Sequence, residues 1–457
     1  MGIFDALTTA VSGLQAQSFA LQNISGNIAN SQTTAFKETN TSFRDLVTAA
    51  AQGQQPAGNV TASALSTNNI QGSIQTTSVR TDMAINGDGY FVVAKPDSFT
   101  DNRPVFNGVN LYSRRGDFRG DAAGFLVNGA GYYLMGIPID PTTGNPTGSI
   151  PEVLQFENNL SSAVPTTQIQ YGANLASNPV TPGSSSSAPG SELLDPATFT
   201  VDPTSAGTGT VVGNDVTVFL SESLSGGALT TYDSLGAPQD IQFRWAKIDS
   251  IAQGGTDTWE LFYQTDSTAT GTNVSWQNAD QSFVFDASGR LNPLIPSLTL
   301  TGVTINGNAL GDIQLSFGAN AITQFADAGG SIQVNQLQQN GSPAGKLQAI
   351  SVNDKNRIVG TFSNGRTIDL AQITLASFNG ENKLQALDGG AFAATFDSGP
   401  PLYTASGSIV GGSLESSNVD IASEFSKLIV TQQAYSSNAK VIQAANQMVQ
   451  SLLAVIQ

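Results

Sequence analysis

Both ends of this chain carry apolar residues that recur in steps of three, four or seven positions. The N-terminal register contains Ile3, Leu7, Leu14, Leu21, Ile24 and Ile28, and the C-terminal register contains Ile421, Phe425, Leu428, Tyr435, Ile442, Val449, Leu453 and Ile456. An apolar repeat of about 3.5 residues is typical of the seam between two supercoiled helices. The pattern therefore predicts a helix at each end, with these side chains forming a polymerisation seam.

Few charges flank this register. The first 36 residues contain one charged side chain, Asp5, and the residues after Glu424 contain only Lys427 and Lys440. The flanking positions hold Ser, Thr, Ala, Gln and Asn instead. Burying amides and hydroxyls that find partners costs less free energy than burying charges. We therefore expect both helices to be buried against other copies of the chain.

Between the two ends the pattern predicts β-structure. An aromatic and apolar run at Tyr90–Val93 follows a glycine turn, and residues 111–136 read as a series of hairpins with a turn at Gly120–Gly124. Strands alternate with turn signals again around 233–238 and 286–289. The predicted fold class is multidomain α+β, with paired, coiled-coil-like terminal helices and nested, mainly antiparallel β domains.

The order helix, β, helix predicts how the domains are nested. If the end helices pair, the chain must run outward and return, so each outer domain is inserted in the one before it. This organisation places a terminal helical polymerisation domain at 1–35 and 415–457, an extended connector at 36–79, an inner β domain at 80–148 and 322–414, and an inserted outer β domain, single or double, at 149–321.

Composition excludes several classes of function. The net charge is −17, and no Lys or Arg occurs between Gly120 and Phe243, which argues against nucleic acid as a partner. The chain has no Cys and no His, so disulfides, thiolate metal sites and Ser-His-Asp catalysis are excluded. We predict no catalytic, cofactor-binding or metal-binding residues.

Two further patterns bear on location. No apolar stretch is long enough to span a bilayer, and residues 1–7 lack the basic start of a secretory signal peptide. We expect no membrane insertion, and an external protein of this kind would be exported without a cleaved signal peptide.

The segment LQNISGNIANSQTTAFK resembles the N-terminal signature of bacterial flagellar rod and hook proteins, the axial proteins of the flagellum. Asn27, Asn30, Phe36 and Lys37 match that signature. Ala35 stands where the family usually has glycine, which argues against a positive φ there. The two asparagines either hold a helix end or a turn, or bond between subunits.

The segments GSLESSNVD and QAYSSNAKVIQAANQM are similar to the C-terminal signature of the same family. Within the first, we interpret Asn418 as the N-cap of the last helix and place Asp420 in its first turn, where a negative charge suits the helix dipole.

Interior motifs distinguish members of the family. The segment YSRRGDFRGDAAGFLVNGAGYYLMG is similar to a hairpin shared by rod and hook proteins, in which Arg114 and Arg115 are either solvated, paired within the domain or in contact with another subunit. The motifs YDSLG and GTFSNG resemble the hook members rather than the rod members.

The resemblance implies a structural subunit of the flagellar hook, a hollow and bendable tube that transmits torque from rod to filament. It implies self-association into a helical polymer and an extracellular location in the flagellum. The other implied partners are the rod and hook–filament junction proteins, the hook cap and the type III export apparatus. No enzymatic activity and no cofactor are implied.

Two alternatives remain open from the sequence. The first is a distal rod or hook–filament junction protein, against which YDSLG and GTFSNG argue. The second is a secreted enzyme or adhesin that acts through the central domain, for which Asp233, Asp240 and Asp286 are candidate carboxylates. Each of these lies in or beside a turn signal, where aspartate is common for local hydrogen bonding.

Overall fold

The computed structural model describes residues 3–46, 59–101, 103–141, 143–156, 160–318, 321–403 and 407–456, with backbone only at 3–5, 46 and 452–456. The fold is mostly antiparallel β with a few helices, which confirms the predicted β-rich character. The helices are α1 (Ile3–Ala29), α2 (Val216–Glu222) and α3 (Ile421–Ile456), with short 3-10 turns at Pro196–Thr198, Gly213–Asp215, Ile251–Gln253, Glu381–Lys383 and Asp388–Gly390.

The strands number 31 in the described residues, and most are short. Those before residue 165 are β1 (Thr39–Leu46), β2 (Asn59–Ser66), β3 (Ile74–Thr76), β4 (Met83–Asn86), β5 (Tyr90–Ala94), β6 (Pro96–Thr100), β7 (Arg103–Phe106), β8 (Leu111–Ser113), β9 (Phe118–Gly120), β10 (Leu126–Asn128), β11 (Tyr133–Pro138), β12 (Glu152–Val153) and β13 (Leu160–Ser161). Those of the middle are β14 (Gln168–Ala176), β15 (Thr210–Val212), β16 (Leu224–Tyr232), β17 (Pro238–Asp249), β18 (Thr258–Gln264), β19 (Val274–Val284), β20 (Ser297–Ile305), β21 (Asn308–Ser316), β22 (Ile322–Phe325) and β23 (Gln333–Gln339). The last are β24 (Gly345–Val352), β25 (Arg357–Phe362), β26 (Thr367–Ile373), β27 (Leu375–Ala376), β28 (Gln385–Ala386), β29 (Ala391–Ala393), β30 (Ser408–Gly411) and β31 (Ser413–Glu415).

The chain forms two compact units. The first comprises Met1–Asn159, Leu347–Phe362 and Arg366–Gln457, and the second comprises Leu160–Lys346 and Ser363–Gly365. The chain therefore leaves the first unit and returns to it. The domain boundaries given above from the sequence remain predictions.

The first unit is built on one long antiparallel sheet, in the order β24-β25-β26-β11-β5-β8-β29-β28. Strand β5 is buried on both faces because its side chains alternate between two apolar clusters. Phe91 and Val93 pack with Met83 and Phe118, whereas Tyr90 and Val92 pack with a separate aromatic cluster. This double burial explains why YFVV is a continuous apolar run rather than an alternating one.

The first unit also contains the segment predicted as an extended connector. Strands β1 and β2 pair antiparallel over Thr39–Leu46 and Asn59–Ser66, and both lie against α1. Strand β3 then pairs with β31, so Ile74 lies opposite Glu415. The hairpin and this short pairing bring the two ends of the chain to the same place.

The second unit is a sandwich of two five-stranded sheets. One sheet has the order β15-β19-β18-β17-β16, and the other has β20-β21-β14-β22 with β23 beside β14. Trp245 and Tyr171 lie in the core between them, where the indole Nε1 donates to the tyrosine hydroxyl at 2.9 Å. The sheet that contains β18 and β19 is also covered on its other face, where Phe219 of α2 packs on Phe262 and Trp276.

A candidate assembly site where the chain ends meet

The terminal helices α1 and α3 lie in contact and run antiparallel. The amide of Asn27 donates to Glu424 Oε2 at 2.9 Å. Two heptads earlier in α1 and two heptads later in α3, Gly13 faces the side chain of Asn438, and a Cβ at Gly13 would lie 2.9 Å from Asn438 Nδ2. From the first contact to the second, the residue number falls along α1 and rises along α3. The two helices are therefore antiparallel.

Small residues form the buried face of α1. Ala10, Ala16 and Ala20 are buried, as are Ile24 and Asn27 further along the helix. Small side chains allow two helix backbones to approach closely, and they bury few atoms of their own. In the single chain, large apolar side chains of α3 such as Phe425 and Val430 remain exposed, whereas the leucines of α1 are partly buried.

The predicted seam residues fall into several groups in the single chain. Ile24 is buried; Leu7, Leu14, Leu21, Ile28, Leu428, Ile442 and Val449 are partly buried; and Ile421, Phe425 and Tyr435 are exposed. The side chains of Ile3, Leu453 and Ile456 lie outside the described residues. The role of these residues as a seam between subunits remains a prediction.

A buried charged cluster lies beside the ends of the two helices. Lys37 Nζ is 2.6 Å from Glu415 Oε1, and it also donates to the carbonyl of Ile70 at 2.6 Å. The second oxygen of Glu415 faces Arg114 Nη1 at 3.5 Å, and Arg114 Nη2 donates to the carbonyl of Gly87 at 2.8 Å. Burial lowers the pKa of Lys37, and the Glu415 carboxylate opposes this shift. Buried charges are stable only when paired and hydrogen-bonded, so this cluster ties the hairpin motif to both terminal motifs.

A second charged contact continues the cluster towards α3. Lys427 Nζ is 2.5 Å from Glu424 Oε1 and 2.6 Å from Glu38 Oε1, and it donates to Asn40 Oδ1 at 3.0 Å. The pKa of Lys427 is raised: burial lowers it, but the hydrogen bonds to Glu38 and Glu424 outweigh the burial. The link joins α3 to strand β1.

The backbone at Ala35 differs from the expectation. Its φ is +57°, in the left-handed region, although alanine was expected to disfavour a positive φ there. That prediction is wrong. Ala35 is buried, and its amide donates to the carbonyl of Glu415 at 2.9 Å. Packing and this hydrogen bond offset a left-handed conformation that costs a non-glycine residue about 1 kcal/mol.

Asn418 does not cap α3, which corrects the N-cap interpretation. The helix begins at Ile421, and Asp420 Oδ1 accepts from the amide of Ser423 at 3.0 Å, so Asp420 is the cap. The side chain of Asn418 instead accepts from the amide of Glu38 at 2.7 Å and donates to Thr67 Oγ1 at 3.1 Å. Asn418 thus joins three separate segments.

The N-terminal motif residues bond within the chain. The Asn27 side chain accepts from the amide of Thr39 at 3.0 Å and donates to the same residue's carbonyl at 3.1 Å. Asn30 Nδ2 donates to the carbonyl of Gly26 at 2.9 Å, which closes the end of α1. Phe36 is partly buried, and its carbonyl accepts from the amide of Asn418 at 3.3 Å.

The hairpin arginines are both paired within the first unit. Arg114 is buried in the cluster described above rather than solvated, and its guanidinium lies 5.3 Å from the centre of the Tyr90 ring. Arg115 forms a two-pronged ion pair with Asp117 at 2.8 and 2.9 Å. Of the alternatives left open by the sequence, pairing within the domain is the one observed in the chain.

Glu415 and Glu424 are not among the site residues predicted from the sequence. Glu415 and Glu424 are 0% and 1% exposed, and Glu415 is the one charged residue in the stretch 398–419. An isolated charge between apolar and small polar residues is the signal that would have identified Glu415. Such a residue requires a partner when it is buried.

The carboxylates considered for catalysis hold turns and strands. Asp233 Oδ1 accepts from the amides of Leu235 and Ala237 at 2.9 and 2.8 Å, and Asp240 Oδ1 accepts from Thr230 Oγ1 at 2.7 Å. Hydrogen bonds from the hydroxyl of Ser288 and the amide of Arg290 lower the pKa of Asp286. These contacts account for the three side chains as structural residues.

In the part of the chain that the structure describes, no helix is long and apolar enough to cross a membrane. Over the same residues, no three acidic side chains are grouped in a way that would hold a metal ion.

Three family models match separate segments of the chain. They are the flagellar hook protein FlgE/F/G D1 domain at residues 84–170, the flagellar basal body protein FlaE D2 domain at 225–342, and the flagellar basal body rod FlgEFG protein C-terminal model at 410–455. Together these segments span more than half of the chain.

Relatives match from end to end. The flagellar hook protein FlgE of Brucella suis is 29% identical over 99% of both chains, and that of Escherichia coli K12 is 29% identical over 98% of this chain and 99% of its own. A crystal structure of Helicobacter pylori flagellar hook protein FlgE2 aligns with a TM-score of 0.47 at 16% identity, covering 75% of this chain and 100% of that one. On the family models and the end-to-end relatives, the chain belongs to the flagellar hook protein family.

Proposed function

We propose that this chain is the structural subunit of a bacterial flagellar hook and that it polymerises through its terminal helices. The observation that carries the assignment is the end-to-end similarity to flagellar hook proteins, which extends through both terminal helices and the whole second unit. A rod or junction protein would match over the ends without requiring a match over the central region.

The surface of α3 supports polymerisation. Phe425 is 50% exposed, Ile429 54%, Val430 65% and Met448 51%, although all four are large and apolar. Apolar surface gains about 25 cal/mol per Å² when it leaves water. Exposing this apolar surface to water therefore costs free energy, and contact with neighbouring copies would remove that cost.

We propose that the paired helices pack as a coiled coil and line the inner wall of a hollow tube. The apolar register at both ends and the antiparallel contact of α1 with α3 support this arrangement. Dense apolar packing resists deformation and would give the tube torsional stiffness.

The second unit would then face the outside of the tube. Its chain lies farthest in sequence from the helices, and it holds most of the stretch without Lys or Arg. Neighbouring copies of this unit would slide past one another as the tube bends, because polar and hydrated contacts can form in more than one geometry. The tube could therefore bend while it transmits torque from rod to filament.

The remaining partners follow from the same assignment. We propose export by the flagellar type III apparatus without a cleaved signal peptide, growth beneath a hook cap, and end contacts with rod and hook–filament junction proteins. The location would be the extracellular hook of the flagellum.

Deleting the gene in its own bacterium tests the assignment. Electron microscopy of isolated flagellar bases should show rods without hooks and without filaments, and the wild-type gene supplied in trans should restore both. Normal hooks in the deletion strain would contradict the assignment.

A further inference from the structure

The second unit contains a buried carboxylate that the proposed hook function does not use. Glu260 lies on β18 and is only 4% exposed. Its Oε2 atom accepts from Asn278 Nδ2 at 2.6 Å, and its Oε1 atom accepts from Ser282 Oγ at 3.3 Å. The pairing of β18 with β19 is irregular at this point, and Asp280 of β19 has a φ of +57°.

Asn278 connects Glu260 to the segment that precedes β15, residues 202–209, here named the 202–209 loop. Its Nδ2 atom also donates to the carbonyl of Pro203 at 2.9 Å, and its backbone amide donates to the carbonyl of Gly209 at 3.0 Å. The amide of Gly207 donates to the carboxylate of Asp280. Three hydrogen bonds around Glu260 therefore hold the loop against β19.

A cleft adjoins this contact. Its volume is about 260 Å³, and it is lined by residues 207–209 of the loop, by 277–280 of β19, by Tyr263 and by 299–301 of β20. Movement of the loop would change one wall of this cleft.

The charges that face Glu260 are all negative. Asp202 lies on the loop and Asp280 lies on β19, whereas β17 places uncharged Ala246 opposite Glu260. The neighbouring Lys247 is already paired, with Asp257 at 2.9 Å. Among the described residues no ion pair is formed by Glu260. Burial, and more weakly the two aspartates, raise the pKa of Glu260 to about 7 against the opposing hydrogen bonds from Asn278 and Ser282.

The neutral carboxyl fits the closed arrangement. A protonated Oε1 can donate to Ser282 Oγ, because a hydroxyl rotates to accept, and Oε2 still accepts from Asn278. Ionisation instead places a negative charge on the buried carboxyl of Glu260, near the two exposed carboxylates of Asp202 and Asp280. Burial disfavours this charge and the two aspartates repel it, so opening the loop, which would hydrate Glu260, relieves both penalties.

We propose that Glu260 is a proton-operated latch: its neutral carboxyl keeps the 202–209 loop closed on β19, and its ionisation releases the loop and opens the adjoining cleft. The latch rests on the geometry of the second unit and does not depend on the hook assignment.

Hydrogen exchange of the full-length chain tests the latch. The backbone amides of Gly207 and Asn278 should be followed between pH 4.5 and 8.5, with each rate divided by the intrinsic exchange rate at that pH. In the wild type, protection should fall up to tenfold per pH unit between about 4.5 and 7 and level off above, as expected for a group that is more acidic in the open state. Constant protection across this range would overturn the proposal.

Two variants separate the latch from general loosening. Glu260→Gln keeps the hydrogen bonds without the charge, so its protection should be high and independent of pH, whereas the control Glu192→Gln should retain the wild-type profile. Asp280→Asn removes one facing charge and suits the left-handed backbone, so protection should level off at a lower pH. If Glu260→Gln does not fold, the Asp280→Asn profile still decides, because an unchanged profile would contradict the latch.

Discussion

Lys37 and Glu415, 378 residues apart in the chain, form a buried ion pair with Nζ and Oε1 2.6 Å apart. The two side chains are 3% and 0% exposed. One belongs to the N-terminal motif and the other to the C-terminal motif, so the pair fixes the point at which both terminal helices leave the β-structure.

Breaking this pair should destabilise the first unit. Glu415→Gln leaves the buried ammonium of Lys37 without a counter-charge, which costs about 3 kcal/mol or more. The three tryptophans, Trp245, Trp259 and Trp276, all lie in the second unit, so fluorescence reports its unfolding separately. In urea, the far-UV circular dichroism transition assigned to the first unit should shift while the fluorescence transition stays. As a control, Glu152→Gln at an exposed position should shift neither transition. Identical transitions in the wild type, Glu415→Gln and Glu152→Gln would contradict a stabilising role of the pair.

Close packing of the helices should depend on Gly13. Gly13→Leu would force a branched side chain into Asn438 and separate α1 from α3, whereas Gly13→Ala requires only a small shift of the flexible asparagine. Gly26 provides a matched control, because a Cβ there meets nothing within 4 Å and alanine favours helix by about 1 kcal/mol. Thermal melting followed by circular dichroism should place Gly26→Ala above the wild type and Gly13→Leu below it, with Gly13→Ala between these two variants. A Gly13→Leu protein that melts like the wild type would show that the helices do not pack here.

Assembly should depend on the exposed apolar surface of α3. Phe425→Asp should leave the single chain folded, because Phe425 is half exposed in it, but should abolish hook formation by placing a carboxylate in a dry contact between copies. Phe425→Leu keeps an apolar side chain and should still assemble. Electron microscopy of cells producing each variant gives the result, and normal hooks from Phe425→Asp would exclude this position from the seam.

The stability of the second unit should fall as pH rises from about 4.5 to 7. The folded-state pKa of Glu260 is raised to about 7, so its contribution is fully present below the unfolded value and is lost as pH rises through the folded one. The loss amounts to about 3 kcal/mol for a shift of this size. Tryptophan-monitored urea unfolding at pH 5 and pH 8 measures it.

The control for this pH dependence is Glu260→Gln, which should lose most of the decrease and keep only the part due to Glu222, whose pKa is also raised by burial. Asp286 and Asp327 have lowered pKa values because they accept hydrogen bonds, and their contributions are lost only at more acidic pH. These two aspartates therefore do not change the stability difference between pH 5 and pH 8. A wild type that is equally stable at pH 5 and pH 8 would contradict the assignment of Glu260.

Local pattern was sufficient to predict several elements. The heptad-like spacing located α1 and α3, and the Gly120–Gly124 turn located the hairpin in which Leu126 pairs with Gly120. In each case the signal lies within about ten neighbouring residues. The alternation of side chains and the turn residues then determine the backbone without distant contacts.

The contacts between distant segments could not be predicted in this way. Strand β1 has no apolar alternation and β2 alternates only small apolar residues, because both are covered by α1 rather than by a core. The left-handed backbone at Ala35 depends on the carbonyl of Glu415, and the position of Asn418 depends on Glu38 and Thr67. A hydrogen bond across hundreds of residues leaves no periodic trace in the sequence, so tertiary contact overrides the local preference at these sites.

The central claim is that the terminal helices hold copies of this chain together as the inner wall of a tube. Electron cryomicroscopy of the assembled hook tests it most directly. The account predicts a map in which α1 and α3 line the channel, Phe425 and Ile429 are buried against neighbouring copies, and the second unit faces the solvent outside. A map with the second unit lining the channel and the exposed face of α3 in contact with bulk solvent would contradict it.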